Sequence, residues 1–293
     1  MLECWLAGQA AGGAVADMLL GAVNPCGRLA ETLPLRLEDT PSYPNFPGEA
    51  GHVRYGEGVF VGYRGYDALD RDVSYPFGHG LSYTSFQYAD LQTKVSGRVE
   101  HGDLAVEVTC RVTNIGQRRG KEVVQLYVGD PDATVARPPR ELKAFAKIDL
   151  GPGDTETVTF SLDARDLSYW STTTSGWALE GGKFTLALGA SSRDLRLRTA
   201  IDIPAPPLSV RLDGMATLHE WIEDPHGSAL LRDVVGTDET GRPHGILGND
   251  ELLAVIGNFP ISTLAAFPGL GLDHRTVDDL LHRRSAVPRR STK

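Results

Sequence analysis

Apolar and polar residues alternate strictly between residues 104 and 112, and this period of two constrains the fold more than any other feature of the sequence. The apolar positions are Leu104, Val106, Val108, Cys110 and Val112. A β-strand with one buried face has this pattern. The alternation recurs at 124–128, 158–162 and 184–188, between turn-forming stretches. Short strands separated by turns predict an antiparallel β-sandwich over residues 86–203, and we expect Trp170 and Trp177 to fill its core.

The regions on either side of the predicted sandwich differ from it in composition. Residues 1–38 have the pattern of a helix, a loop and a strand, and the helix at 12–20 has apolar residues on more than one face, so we expect it to be mostly buried. Residues 39–85 are rich in Pro, Gly and Tyr, and their aromatic content predicts an ordered loop rather than a disordered linker. Residues 204–293 begin with prolines and continue as short helices, one of them after the capping box Thr217-x-x-Glu220.

Charge and cysteine content exclude several classes of protein. The net charge of -9 disfavours binding to nucleic acids and to anionic membranes. No apolar stretch approaches the roughly 18 residues of a membrane span. The three cysteines lack CxxC spacing, which argues against a disulfide scaffold or a thiolate zinc site. They suit a reducing compartment, so we expect a cytoplasmic location.

Motifs for metals and cofactors are missing from the sequence or incomplete. The stretch that starts at His219-Glu220 resembles a HExxH zinc motif, but Glu223 stands where the second histidine is required. Pro225 separates His219 from His226 and interrupts any helix that would join them. The sequence has no P-loop, no dinucleotide-binding glycine loop and no GxSxG elbow. We therefore expect no metal site and no cofactor.

Tyr55 and Glu57, in a Gly-flanked aromatic loop, are candidates for the edge of a sugar-binding pocket. Aromatic rings stack on the apolar faces of pyranose rings, and a carboxylate binds sugar hydroxyls. The alternative, which we favour, is structural: an ion pair of Glu57 with Arg54 or Arg64 fixes the loop, and the aromatic rings pack between domains.

Four sequence blocks, taken together and in order, resemble glycoside hydrolase family 3 of the β-glucosidase type. They are WLAGQAAGG through ADMLLG at 5–21, NPCGRL at 24–29, YGEGVFVGYR at 55–64 and YPFGHGLSYTSF at 75–86. In that family such blocks end an α/β sandwich domain, cross its surface and enter a fibronectin type III-like domain. The sequence departs from the family pattern locally, at Ala7, Cys26, Ala30 and Gly65.

The resemblance implies a mainly β fold with small α parts. Residues 1–38 would be a remnant of the α/β domain and 39–85 an interdomain loop. Residues 86–203 would form the fibronectin type III-like antiparallel β-sandwich, and 204–293 a linker with a small helical appendage.

The family's chemistry depends on residues that we do not find in this sequence. Retaining glycosidases need two carboxylates about 5–5.5 Å apart. In the resembled family the nucleophile is an Asp of an N-terminal (β/α)8 barrel, and the acid/base Glu lies upstream of the first block. We therefore assign no catalytic residue, and we expect the isolated chain to be inactive.

The function implied by the resemblance is that of the C-terminal part of a β-glucosidase, which acts by retaining hydrolysis of terminal β-D-glucosyl residues. The expected partners are a β-glucoside or oligosaccharide, bound only with the N-terminal domains, and a separately encoded catalytic half. β-Xylosidase and other exo-glycosidase specificities stay open. The alternative is a non-catalytic β-sandwich module that binds carbohydrate or protein.

Overall fold

The computed structural model describes residues 2–172, 175–206, 212–236, 245–267 and 272–285. They divide into two compact units, one of Met1–Tyr169 with Leu179–Pro207 and one of Trp170–Ala178 with Leu208–Lys293. The strands are β1 Leu33–Pro34, β2 Val73–Tyr75, β3 Phe86–Ser96, β4 Ala105–Asn114, β5 Gly120–Gly129, β6 Glu141–Leu150, β7 Thr155–Asp163, β8 Tyr169–Ser171, β9 Gly176–Ala178, β10 Gly182–Gly189 and β11 Leu195–Ile203. The helices are α1 Ala11–Leu19, α2 Tyr63–Ala68, α3 Ala164–Leu167, α4 Leu218–Glu223, α5 Pro225–Val235, α6 Asp250–Ile256, α7 Ile261–Leu264 and α8 His274–Ser285.

Two antiparallel sheets form the body of the first unit, which confirms the predicted sandwich. The smaller sheet has the order β3-β4-β7, and the larger has the order β11-β10-β5-β6. Alternate residues of β4 are buried, as the period of two predicts, and Val108 and Phe160 are register partners between β4 and β7. Each fully buried Val, Leu or Phe side chain contributes about 1.5–3 kcal/mol through removal of apolar surface from water. The core therefore holds the two sheets together.

The expectation that Trp170 and Trp177 fill this core is wrong. Their side chains are 52% and 47% exposed, and they lie on the short hairpin of β8 and β9, which belongs to neither sheet of the sandwich. Smaller side chains at the alternating positions, such as Leu126, Leu162 and Phe184, fill the core instead. The two tryptophans were expected in the core because of their size. The local sequence does not show that their hairpin lies outside both sheets.

The segment before the sandwich packs poorly against the rest of the first unit. Helix α1 contains no buried residue, contrary to the burial expected from its apolar faces. Helix α1 ends at Leu19, and Gly21, just after the C-cap Leu20, has the positive φ of 75° expected of a left-handed cap. Leu6 and Leu20 are 104% and 85% exposed. The apolar side chains of α1 and its neighbours are therefore not covered by any other part of the described chain.

The second unit has a hydrophobic core of its own. Trp221, Leu218 and Leu231 are fully buried among apolar residues of the five helices α4–α8. The predicted capping box is confirmed: Thr217 Oγ1 accepts a hydrogen bond from the Glu220 N–H, and a Glu220 carboxylate oxygen accepts one from the Thr217 N–H. The short helices expected in residues 204–293 include α6 and α8. Among the described helices, none combines the length and hydropathy needed to cross a membrane.

Candidate functional site

The loop that holds Tyr55 and Glu57 precedes α2 and is mostly exposed. Tyr55 is 82% exposed, so its ring is open to contact from outside the chain. Glu57 is half-buried, and its Oε2 oxygen is buried without a hydrogen-bond donor among the residues that the structure describes. The favoured ion pair of Glu57 with Arg54 or Arg64 is not present among the described salt bridges, and Arg64 instead contacts Glu141, at 3.4 Å. Contact of Tyr55 or Glu57 with a sugar stays a prediction.

The segment after this loop is fixed to the larger sheet by aromatic and polar contacts. The Tyr63 ring stacks on Phe77 with centroids 4.7 Å apart, and its hydroxyl oxygen accepts a hydrogen bond from the Leu142 N–H at 2.7 Å. The Gln125 side-chain amide donates to the carbonyls of Gly78 and Ala190. Gly78 has φ of +81°, and a Cβ there would lie 2.1 Å from Gln125 Oε1, so only glycine fits.

Asp67 on α2 forms a buried ionic centre. Its side chain is 3% exposed, and it contacts Arg140 at 3.1 Å and Arg193 at 3.0 Å. Removal of this carboxyl from water raises its pKa, while the two guanidinium groups act in the opposite direction. Both carboxylate oxygens are engaged, which indicates that Asp67 joins α2 to the sandwich and is not free for chemistry.

A second buried ion pair fixes the NPCGRL block. Arg28 Nη2 lies 2.7 Å from Glu122 Oε1, and the two side chains are 8% and 3% exposed. In the same block, Asn24 accepts hydrogen bonds from Ser82 and the Tyr83 N–H and donates to the Arg119 carbonyl. Sequence reading missed these contacts because Arg28 and Glu122 are 94 residues apart. They give residues 24–29 a defined backbone beside the sandwich.

Large apolar side chains are exposed along the whole segment from residue 5 to residue 61. We call them the N-terminal apolar set: Trp5, Leu6, Leu19, Leu20, Val23, Leu35, Leu37, Phe46, Tyr55, Val59 and Val61. Exposed apolar patches on a folded protein mark contact sites for proteins, membranes or ligands. The N-terminal apolar set leaves such apolar side chains exposed over residues 5–61.

The buried carboxylates of the first unit that form ion pairs are engaged by arginines. The pairs are Asp39 with Arg36, Asp67 with Arg140 and Arg193, Glu122 with Arg28, and Asp130 with Arg137. A retaining glycosidase needs one carboxylate as nucleophile and another as acid/base, both facing the substrate. Carboxylates that hold arginines in a packed interface do not have that geometry.

The candidate zinc motif has a structural role. Glu220 belongs to the capping box of α4, and His219 and His226 lie on two different helices, α4 and α5. In the part of the chain that the structure describes, no group of three or more His, Cys, Asp or Glu side chains could hold a metal ion.

Comparison with known proteins assigns two parts of the first unit to known domain families. Residues 1–83 match the glycosyl hydrolase family 3 C-terminal domain, and residues 122–192 match the fibronectin type III-like domain. The thermostable beta-glucosidase B of Acetivibrio thermocellus is 40% identical over 292 residues, which are 98% of this chain and 38% of that protein. An exo-alpha-(1->6)-L-arabinopyranosidase of Bifidobacterium longum is 39% identical over 271 residues, which are 92% of this chain and 35% of that protein.

Solved structures agree with these relatives. A family 3 beta-glucosidase of Bifidobacterium adolescentis superposes with a TM-score of 0.71 and 44% identity, over 78% of this chain and 33% of that one. Beta-glucosidase 3B of Thermotoga neapolitana, solved with glucose, gives 0.62 and 39%, over 69% and 28%. The chain thus spans between 28% and 38% of the length of these proteins. The order of blocks, the sandwich and these matches show that the chain belongs to glycoside hydrolase family 3 and corresponds to the C-terminal part of its β-glucosidase-like members.

Proposed function

We propose that this chain supplies the C-terminal, non-catalytic part of a retaining β-glucosidase that removes terminal β-D-glucosyl residues from small glycosides and oligosaccharides. The observation that carries the proposal is the exposed N-terminal apolar set, which flanks segments whose backbone is fixed by polar contacts. A surface of this kind is prepared for a partner, and in this family the fitting partner is the polypeptide that holds the two catalytic carboxylates.

The catalytic pair comes from outside the described residues in this proposal. Hydrolysis with retention needs two carboxylates about 5–5.5 Å apart, one of them free to attack the anomeric carbon. The ion-paired carboxylates of this chain serve packing instead, as Asp67 and Glu122 illustrate. The barrel and the acid/base region of family members, either in the same polypeptide or in a separately encoded half, would supply the chemistry.

Docking of that partner has a reduced entropic cost at those segments of this chain that polar contacts already fix. Residues 24–29 and 63–80 are fixed by Arg28–Glu122, by Asn24 and by Gln125, so their ordering does not have to be paid for during association. Apolar side chains beside these anchors would then lose exposed surface, which stabilises the complex by roughly 25 cal/mol per Å².

Selection of the sugar belongs to the partner as well. This chain is 40% identical to a protein named beta-glucosidase and 39% identical to one named exo-alpha-(1->6)-L-arabinopyranosidase. Similar C-terminal parts therefore accompany different sugar specificities, which supports a specificity pocket built mainly by the rest of the enzyme.

Reconstitution of activity tests the proposal. The purified chain, assayed with 4-nitrophenyl β-D-glucoside, should show no turnover. Addition of the polypeptide that precedes the matched region of the Acetivibrio thermocellus enzyme should produce turnover. Leu20→Glu, in the N-terminal apolar set, should abolish that gain, whereas Phe145→Glu, at a 67% exposed position on β6, should leave it unchanged. Turnover by the chain alone that is lost in Glu57→Gln would overturn the proposal, as would a gain of activity that is equal in both variants.

A further inference from the structure

The hairpin formed by β8 and β9 exposes two tryptophans side by side. The rings of Trp170 and Trp177 have centroids 5.5 Å apart and meet edge to face at 71°. Their side chains are 52% and 47% exposed, whereas Tyr169 and Ser171 beside Trp170 are half-buried and Ala178 is buried. The alternation along both short strands therefore places the two indoles on the outward side of the hairpin.

Two exposed indole rings lie next to each other on this hairpin, and in the described part of the chain neither of the other two tryptophans has such a neighbour. A tryptophan removes 150–250 Å² from water when it is buried, so exposure of a pair gives up a large stabilisation. The second unit is able to bury an indole, because Trp221 is fully buried in its core. Exposed aromatic clusters mark binding sites.

The sequence between the two indoles narrows the chemistry of the ligand. Between the two tryptophans the sequence from 171 to 176 consists of Ser, Thr and Gly, with hydroxyl side chains, no charge and no aliphatic group. Nucleic acid and anionic lipid both require Lys or Arg. Indole faces next to neutral hydroxyls fit a ligand that has apolar C–H faces and hydroxyl groups of its own.

We propose that Trp170 and Trp177 form a surface site for a neutral pyranoside chain. The C–H face of a sugar ring would stack on an indole, and ring hydroxyls would exchange hydrogen bonds with Ser171 and Ser175. The site would hold a saccharide without cleaving it, so it goes beyond the proposed hydrolysis and does not depend on the catalytic carboxylates. Its effect would be to raise the local concentration of oligosaccharide near the enzyme.

Titration with defined oligosaccharides tests this site on the full chain. Cellotetraose and laminaritetraose are added separately, and binding is followed by tryptophan fluorescence and calorimetry. Saturable binding is expected for at least one of them. Trp170→Ala and Trp177→Ala should each weaken it by about tenfold, and Trp177→Phe, which keeps an aromatic face, should weaken it less. Trp5→Ala is the matched control, since Trp5 is also exposed, at 60%, and should bind like the unchanged chain.

Several results would contradict the site. These are no saturable binding up to millimolar saccharide, binding that survives in the Trp170→Ala/Trp177→Ala double variant, or equal loss in Trp5→Ala. Self-association by sedimentation that disappears in Trp170→Ala, without any response to saccharide, would show a protein interface in its place. The reconstituted hydrolysis of 4-nitrophenyl β-D-glucoside should be unaffected by Trp170→Ala and by Trp177→Ala, so failure of the site is distinguishable from failure of the proposed function.

Discussion

The β-sandwich and the segment before it both contain many apolar residues but bury them to very different extents. Between residues 86 and 203, the alternating side chains of β4, β5 and β10 are almost wholly buried. Between residues 2 and 61, helix α1 buries nothing, and large apolar residues from Trp5 to Val61 are exposed. The sandwich completes its own core, whereas the first segment leaves much of its apolar surface exposed.

This difference teaches that order and burial are separate properties in this chain. Residues 24–29 have a defined backbone because Arg28, Asn24 and Tyr83 make specific polar contacts, although little apolar surface is buried there. The sandwich has both properties, so its stability and its order come from the same residues. Changes at the two regions should therefore have different consequences.

The largest expected contrast comes from leucines at the two extremes of exposure. Leu126→Ala removes a side chain that is 0% exposed and leaves a cavity, so the free energy of unfolding should fall by about 2–5 kcal/mol. Leu20→Ala, at an 85% exposed position, should change it by no more than about 0.5 kcal/mol. Urea denaturation followed by circular dichroism measures both. Equal losses of unfolding free energy in the two variants would contradict the comparison, because Leu20 would then have to be packed against the rest of the chain.

A smaller effect is expected from the carboxylate that joins α2 to the sandwich. Asp67→Asn leaves the partly buried guanidinium groups of Arg140 and Arg193 without their counter-charge, which should cost about 1–3 kcal/mol. The matched control is Asp90→Asn, since Asp90 pairs with Arg111 in an exposed position and surface pairs contribute about 0–1 kcal/mol. The same denaturation experiment separates the two, and a larger loss at Asp90 would contradict the burial argument.

The smallest expected effect is a dependence of stability on pH at the junction of the two regions. Burial, and then the charge of Arg28, lower the pKa of His79 from its ordinary value of 6.5. The folded state therefore binds fewer protons than the unfolded state, so the contribution of His79 is complete above pH 6.5 and is lost as the pH falls through the lower folded-state pKa.

Denaturation at pH 7.5 and at pH 5 measures this contribution. The unchanged chain should lose stability toward pH 5, and His79→Gln should lose less. His101→Gln, at an exposed histidine, should behave like the unchanged chain. An identical loss in His79→Gln and in the unchanged chain would assign the pH dependence to other groups.

Local patterns predicted those parts of the fold whose determinants are local. The period of two at 104–112 gave both the strand β4 and its buried face, and the Thr217-x-x-Glu220 signature gave the start of α4. Burial of α1 was not predictable, because helical periodicity identifies apolar faces but not whether a neighbour covers them. The position of Trp170 and Trp177 outside the sheets depends on where the chain leaves β7, which their size does not reveal.

The polar contacts of the site were the least accessible to sequence reading. Arg64 had a plausible partner close by in Glu57, yet the folded chain brings it to Glu141. Glu122 is likewise distant in sequence from Arg28. The local sequence does not indicate the ion-pair partner of a charged side chain. That partner depends on which strands pair and in which register.

Hydrogen exchange of the full chain, alone and with the catalytic polypeptide, tests most directly the claim that the first segment awaits a partner while the sandwich does not. In the chain alone, amides of α1, Ala11–Leu19, should exchange close to their intrinsic rates, and those of β4, Ala105–Asn114, should be strongly protected. Addition of the polypeptide should slow exchange in α1 and leave β4 unchanged. Protection of α1 equal to that of β4 before any addition would contradict the account.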